Sequence, residues 1–123
     1  KSRKERYGAK KEEFIASIGS VLEDIQKNLF QRALAYRTEH TREIDDRAAF
    51  DAFFTPKNAE QPELHGGFAL SHWCGGEDCE TKVNEALSVT IRCIPTGYEK
   101  SGPGKCIVCG KDSPGRVLFA KAY

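Results

Sequence analysis

Four cysteines at two short spacings constrain this chain more than any other feature. They read Cys74-Gly75-Gly76-Glu77-Asp78-Cys79 and, after 26 intervening residues, Cys106-Ile107-Val108-Cys109-Gly110. Each pair can form one side of a tetrahedron, and two such pairs point to a structural zinc site made by Cys74, Cys79, Cys106 and Cys109. The second pair is the stronger half. A C-x2-C-G turn lets backbone N–H groups point at the sulfurs, while the glycine takes a conformation other residues resist. Four thiolates leave no open coordination position, whereas a zinc that activates water needs one. The metal is therefore expected to hold the fold and not to do chemistry.

Disulfides, a redox C-x-x-C and buried free thiols are the alternative uses of such cysteines. Disulfide scaffolds need an oxidising compartment, but no secretory signal is recognisable and the cysteine count, five, is odd. A redox pair usually opens a helix after a strand, whereas Cys109 is followed by Gly-Lys-Asp-Ser-Pro-Gly, which reads as turn. Cys93 is the spare. Its setting, Val89-Thr90-Ile91-Arg92-Cys93-Ile94, is strand-like, and it is expected to be a small buried hydrophobe and not a fifth ligand. His72 stands two residues before Cys74 and could replace a sulfur, yet its place in a strand beside Trp73 suits a satisfied core or edge histidine better. His65 and His40 are weaker candidates. No carboxylate pair or Ser/His/Asp constellation recurs at a catalytic spacing, so no catalytic residue is assigned.

With 123 residues, 39% hydrophobic and 30% charged, the chain has room for one domain, or a small domain with an extension. No apolar stretch approaches the roughly 20 residues of a membrane span, and a cytoplasmic location is expected. The formal charge of +1 would become −1 in a zinc-loaded site, since four thiolates subtract four and the ion returns two. A near-neutral chain has no global electrostatic reason to bind nucleic acid. The absence of any methionine and the start at Lys1-Ser2-Arg3-Lys4 suggest a piece of something longer.

The first ten residues are polar and carry Lys1, Arg3, Lys4, Arg6 and Lys10, a basic cluster expected to be solvated and not bound to phosphate. Beyond them Phe14, Ile18, Leu22, Ile25, Leu29, Ala33 and Tyr36 fall at steps of four and three. That spacing predicts one apolar face of a long, nearly straight α-helix, which must pack on something. The pattern breaks around Thr41 to Asp46, where either Asp45 or Asp46 could start a second helix through Arg47 to Phe54, with Ala49, Phe50, Phe53 and Phe54 as its apolar face. Thr55 to Gly67, with Pro56 and Pro62, is the most loop-like stretch. Three strands follow, at Phe68 to Trp73, Val89 to Ile94 and Arg116 to Tyr123, with a helix at Cys79 to Leu87. Strand, helix, strand at this distance suggests a parallel pair with a right-handed crossover. The expected fold class is α+β: a long N-terminal helix and a short second helix leading into a small three-stranded α+β zinc-binding domain. A core drawn from so few residues is marginal, and zinc would fasten two connections of its sheet. Lys105, Lys111, Arg116 and Lys121 surround the second cysteine turn and are expected to offset the charge of four thiolates.

Several of these runs together resemble a known family. They are Phe68-Ala-Leu-Ser-His-Trp-Cys-Gly-Gly-Glu-Asp-Cys-Glu80, Ala86-Leu-Ser-Val-Thr-Ile-Arg-Cys-Ile-Pro95, Gly104-Lys-Cys-Ile-Val-Cys-Gly-Lys111 and Arg116-Val-Leu-Phe-Ala-Lys-Ala-Tyr123. They are similar to the C-terminal zinc-binding domain of archaeal and eukaryotic-type prolyl-tRNA synthetases, which some bacteria also carry. Leu22-Glu-Asp-Ile-Gln-Lys-Asn-Leu-Phe-Gln-Arg-Ala33 is similar to that family's helix joining the anticodon-binding and zinc domains. The loop at Thr55 to Gly67 is longer than is usual there.

The resemblance implies that residues 1–42 are the end of an anticodon-binding domain and a linker helix, and that residues 43–123 are the zinc domain. It implies a parent enzyme, usually a homodimer, that uses ATP and Mg2+ to activate proline and transfers it to tRNA(Pro). The partners of this fragment would be the catalytic and anticodon-binding domains of its own chain. The fragment itself would be inert. The matching positions are the Zn2+ ligands Cys74, Cys79, Cys106 and Cys109, and Tyr123, whose carboxylate would lie near the parent's active site. A free-standing four-cysteine zinc ribbon that binds nucleic acid or a protein is the rival reading, against which the basic residues are not segregated or interleaved with aromatics. A cytosolic redox protein using Cys106 and Cys109 would need a metal-free thiol of lowered pKa.

Overall fold

The apolar steps of four and three that begin at Phe14 become α1, Lys11–Glu39, in a computed structural model that describes residues 8–58 and 66–122. Glu12 and Glu13 in its first turn and Arg37 in its last oppose the helix dipole favourably. None of its residues is buried, and Phe14, Leu22, Ile25 and Leu29 are each more than half exposed. Among the described residues of its own unit nothing covers this apolar face. The basic positions before Gly8, His65 with the rest of 59–65, and Tyr123 lie outside the described residues.

The chain forms two compact units, Lys1–Tyr36 and Arg37–Tyr123. In the second, β1 (Thr41–Glu43), α2 (Arg47–Phe54), β2 (Phe68–His72), α3 (Glu77–Leu87) and β3 (Val89–Cys93) precede a short 3-10 turn at Tyr98–Ser101. Two brief strands, β4 (Gly104–Lys105) and β5 (Asp112–Ser113), and a longer β6 (Arg116–Lys121) complete it.

The expected three-stranded sheet is in fact four-stranded, in the order β1-β2-β6-β3, with β4 and β5 forming a separate ribbon. The extra strand, β1, had no apolar signature: Thr41, Arg42 and Glu43 form an edge, paired parallel to β2 from Thr41 opposite Phe68. β2 and β3 point the same way, as expected, but they do not pair. β6 lies between them, antiparallel to both.

Asp46, not Asp45, starts α2, its carboxylate accepting from the Ala49 N–H at 2.8 Å. One turn apart on α2, Phe50 and Phe54 are both buried. Phe50 meets Phe54 and Phe119 edge-on, at centroid distances of 4.9 and 5.2 Å. Ala69 on β2, Val83 on α3, Val89 on β3, Val117 and Phe119 on β6 and Ile107 between the cysteines of the second pair complete this core. The second unit and its second cysteine turn are therefore joined, through Ile107, in one hydrophobic centre.

Cys93 departs from expectation: it is exposed. Strict alternation from buried Val89 and half-buried Ile91 would turn it inward. A bulge between Ile91 and Cys93 adds one residue to β3, so that Ile91 faces Phe119 while Cys93 faces Leu118, and the side chain moves to the other face.

Candidate metal centre

The first cysteine pair is set where β2 gives way to α3. Gly75, at φ 86°, takes a left-handed turn that a side chain would resist, and Gly76 becomes the N-cap. This puts Cys79 in the first turn of α3, its N–H bonded to the Gly76 carbonyl at 3.1 Å. The Trp73 indole N–H donates to the same carbonyl at 3.1 Å and fixes the loop from the strand side.

The second pair sits in the turn of the β4–β5 ribbon. The Cys106 N–H donates to the Lys111 carbonyl at 2.8 Å, and the Gly110 N–H donates to the Cys106 carbonyl at 2.9 Å. Gly110 has φ 72°. The backbone N–H groups of Cys109 and Val108 favour the charged form of the Cys106 sulfur, and that of Lys111 favours the charged form of the Cys109 sulfur. The C-x2-C-G turn thus behaves as its spacing predicted.

All four sulfurs lie within 4.8 Å of one another. Cys74 Sγ is 3.6 Å from Cys79 Sγ and 3.6 Å from Cys109 Sγ. A zinc ion with four Zn–S bonds of about 2.3 Å needs sulfurs about 3.8 Å apart, so the cluster has the size and donor chemistry of a closed tetrahedral zinc site. Among the described residues no histidine or carboxylate joins it. His72 is buried and turned to Ser113, as its place in a strand suggested.

The four thiols differ in environment. Burial, reinforced by the neighbouring sulfurs, pushes the Cys79 thiol up to about 12. Burial also raises Cys106, against the backbone N–H bonds that its sulfur accepts. Cys109 is exposed, and the Lys111 N–H brings it down to about 7. In a zinc complex all four are thiolates, because the ion's charge outweighs these differences.

The four basic side chains expected to balance the sulfurs have different duties. Lys105 pairs with Asp112 at 2.5 Å. Arg116 forks onto both oxygens of Asp45, lies 3.9 Å from Glu43, and reaches the Leu70 carbonyl at 3.5 Å. Lys111 acts through its backbone N–H, and the Lys121 carbonyl accepts from Arg92. Arg116 ties β6 to the connection between β1 and α2; it does not serve the cysteines.

Residues 59–123 match the family model described as prolyl-tRNA synthetase, C-terminal. The chain belongs to this family. Among relatives of this prolyl-tRNA synthetase C-terminal domain, proline–tRNA ligase 2 of Anaeromyxobacter dehalogenans is 41% identical over 124 residues, spanning 98% of this chain and 24% of that protein. Proline–tRNA ligase of Protochlamydia amoebophila is 42% identical, over 99% of this chain and 24% of its own length. The crystal structure of the Cryptosporidium parvum prolyl-tRNA synthetase complexed with L-proline and AMP shares the fold. Its TM-score is 0.71 at 20% identity, over 91% of this chain and 22% of that one. The chain therefore spans about a quarter of the length of the ligases it matches.

The sequence gives no sign of the contacts that Ser113 and the Trp73 indole make beside the cysteines, because a single serine in Asp-Ser-Pro-Gly carries no signal of its buried partner.

Proposed function

We propose that this chain is the structural zinc domain of a proline–tRNA ligase, with Cys74, Cys79, Cys106 and Cys109 as the ligands of one Zn2+. The observation that carries this reading is the meeting of four sulfurs from two distant turns in a chain of this family. Zinc, when bound, supplies a closed crosslink between two connections of the sheet and no reactive position. The parent joins proline to tRNA(Pro), a reading supported by the names of the relatives, and would use ATP and Mg2+ as the family resemblance implies. It is of the archaeal and eukaryotic type and a homodimer, and catalysis resides outside this fragment.

Residues 1–36 belong to the end of the anticodon-binding domain and the linker helix and residues 37–123, which include β1, to the zinc domain; the division at 42 and 43 that the resemblance implies would cut β1. The uncovered apolar face of α1 supports this division, since a helix of 29 residues with Phe14, Leu22 and Leu29 exposed suits packing on other parts of a longer chain. The partners are accordingly the catalytic and anticodon-binding domains of the same chain. Among the described residues no helix is long and apolar enough to cross a membrane.

The test is elemental analysis and aminoacylation of the full-length protein. It should hold zinc at this site and charge tRNA(Pro) with proline, whereas residues 1–123 alone should form no prolyl adenylate. A folded, metal-free native protein would refute the zinc assignment, and a full-length protein that charges no tRNA would refute the ligase assignment.

A further inference from the structure

The two cysteine turns are brought together by more than sulfur. His72 and Trp73, the residues before Cys74, meet the second turn through four contacts. The His72 carbonyl accepts from the Ile107 N–H at 2.9 Å, and the His72 ring lies against Gly104, where a Cβ would come within 2.4 Å of it. His72 Nδ1 is 3.2 Å from Ser113 Oγ, and the Trp73 N–H donates to the same oxygen at 3.1 Å.

Ser113 has one hydroxyl hydrogen, which it donates to the Gly115 carbonyl at 2.8 Å. Its oxygen must therefore accept from both other groups, so His72 donates through Nδ1–H. One hydroxyl thus makes three bonds, and both side chains are closed off from water, His72 at 5% and Ser113 at 2% exposure. A satisfied buried network of this kind specifies one arrangement and is costly to break in part. It joins the strand that delivers Cys74 to the ribbon that delivers Cys106 and Cys109, yet none of its members is a metal ligand.

We infer that the His72–Ser113 pair is a positioning latch that sets the register of the two cysteine turns and so slows zinc loss. This rests on the zinc assignment above. Groups that orient the ligands of a metal without touching it typically change metal affinity by about ten- to a hundred-fold, and the latch should act within that range.

The strand supplies its own control. Ser71 is fully buried and donates to the Ile44 carbonyl at 2.7 Å, on the β1 side of the domain. Ser71→Ala removes a buried hydrogen bond of the same kind without touching the ribbon. The experiment follows zinc release from the zinc-loaded full-length protein into excess chromogenic chelator, alongside the absorption spectrum of the cobalt-substituted form.

His72→Phe and Ser113→Ala should release zinc about ten-fold faster or more, with cobalt spectra that still report four thiolates. His72→Asn, whose amide N–H can stand where Nδ1–H stood, should recover most of the native rate. Ser71→Ala should stay near native. Should His72→Phe fail to fold, Ser113→Ala and His72→Asn carry the test. Release from Ser113→Ala at the native rate, or equal acceleration by Ser71→Ala, would overturn the latch while leaving the zinc assignment intact. A native protein without zinc would overturn both.

Discussion

Cys74 Sγ lies 3.6 Å from Cys109 Sγ although 35 positions separate them in the chain. One of these residues lies in the loop just after a strand of the main sheet and the other in the turn of a separate ribbon, so a metal between them would join two pieces that share no ladder. The buried core around them is small, with Phe50, Phe54 and Phe119 as its only fully buried aromatic side chains among the described residues. Structural zinc contributes about 10 to 16 kcal/mol in isolated zinc peptides, which equals or exceeds the whole stability of an ordinary domain.

Cys106→Ser should therefore abolish zinc retention and unfold residues 37–123, not merely weaken them. Cys106 is buried beside Ile107, which belongs to the core itself. Zinc per chain and the cooperative circular-dichroism melt check this; a variant that loses zinc but keeps a sharp melt would show that the core suffices alone.

Metal binding should release protons, and the sulfur environments say from where. Cys79, pushed up to about 12, and Cys106, also raised by burial, are both thiols at neutral pH before the metal arrives. At least these two must deprotonate on binding. Affinity should then fall by at least about a hundred-fold for each unit that pH drops near neutrality. Titration calorimetry in buffers of different ionisation enthalpy counts the protons directly. Release of fewer than about two per zinc at pH 7 would contradict the assigned environments.

The four-cysteine cluster was the most legible part of the sequence because a coordination pattern demands residue type and spacing together. Cys74, Cys79, Cys106 and Cys109 declared themselves before any fold was known. α2 was legible for a related reason, since Phe50 and Phe54 are local signals, and α3 was legible in its body and its end at Leu87 but opens at Glu77, two residues before the expected Cys79. β1 was not, because Thr41, Arg42 and Glu43 owe their strand conformation to Phe68, Ala69 and Leu70 across the ladder. The insertion of β6 between β2 and β3 was hidden for the same reason, as pairing over such distances leaves no local trace. The Ser113 network lay deeper still: two of its three bonds go to His72 and Trp73, 41 and 40 positions away.

Asp45→Asn tests whether Arg116 is a fastening of the sheet. The guanidinium holds the Asp45 carboxyl below the usual carboxylate range, chiefly by its hydrogen bond. A lowered value means that the stabilisation is present above the unfolded pKa, near 3.8, and is lost as pH falls further through the folded one. The variant should lose about 0.5 to 1 kcal/mol, a modest effect because the carboxylate is largely exposed. That loss should be constant from about pH 5 to 8 in urea titrations of the zinc-loaded protein. A loss that varied over this window would assign the effect to another group.

Cys93→Ser separates the bulge from the simple strand that the sequence suggested. Were Cys93 turned inward like Val89, replacing its sulfur by a hydroxyl would bury an unpartnered polar group at a cost of about 1 to 3 kcal/mol. The register shift after Ile91 instead places it on the exposed face, where substitutions usually stay within about 0.5 kcal/mol. Zinc content should be unchanged, since Cys93 is not among the four clustered sulfurs. Thiol-reactive labelling of the zinc-loaded protein should in addition lose its fast, exposed site. A destabilisation beyond about 1 kcal/mol, or slow labelling of Cys93 in the native protein, would return this cysteine to the core and remove the bulge.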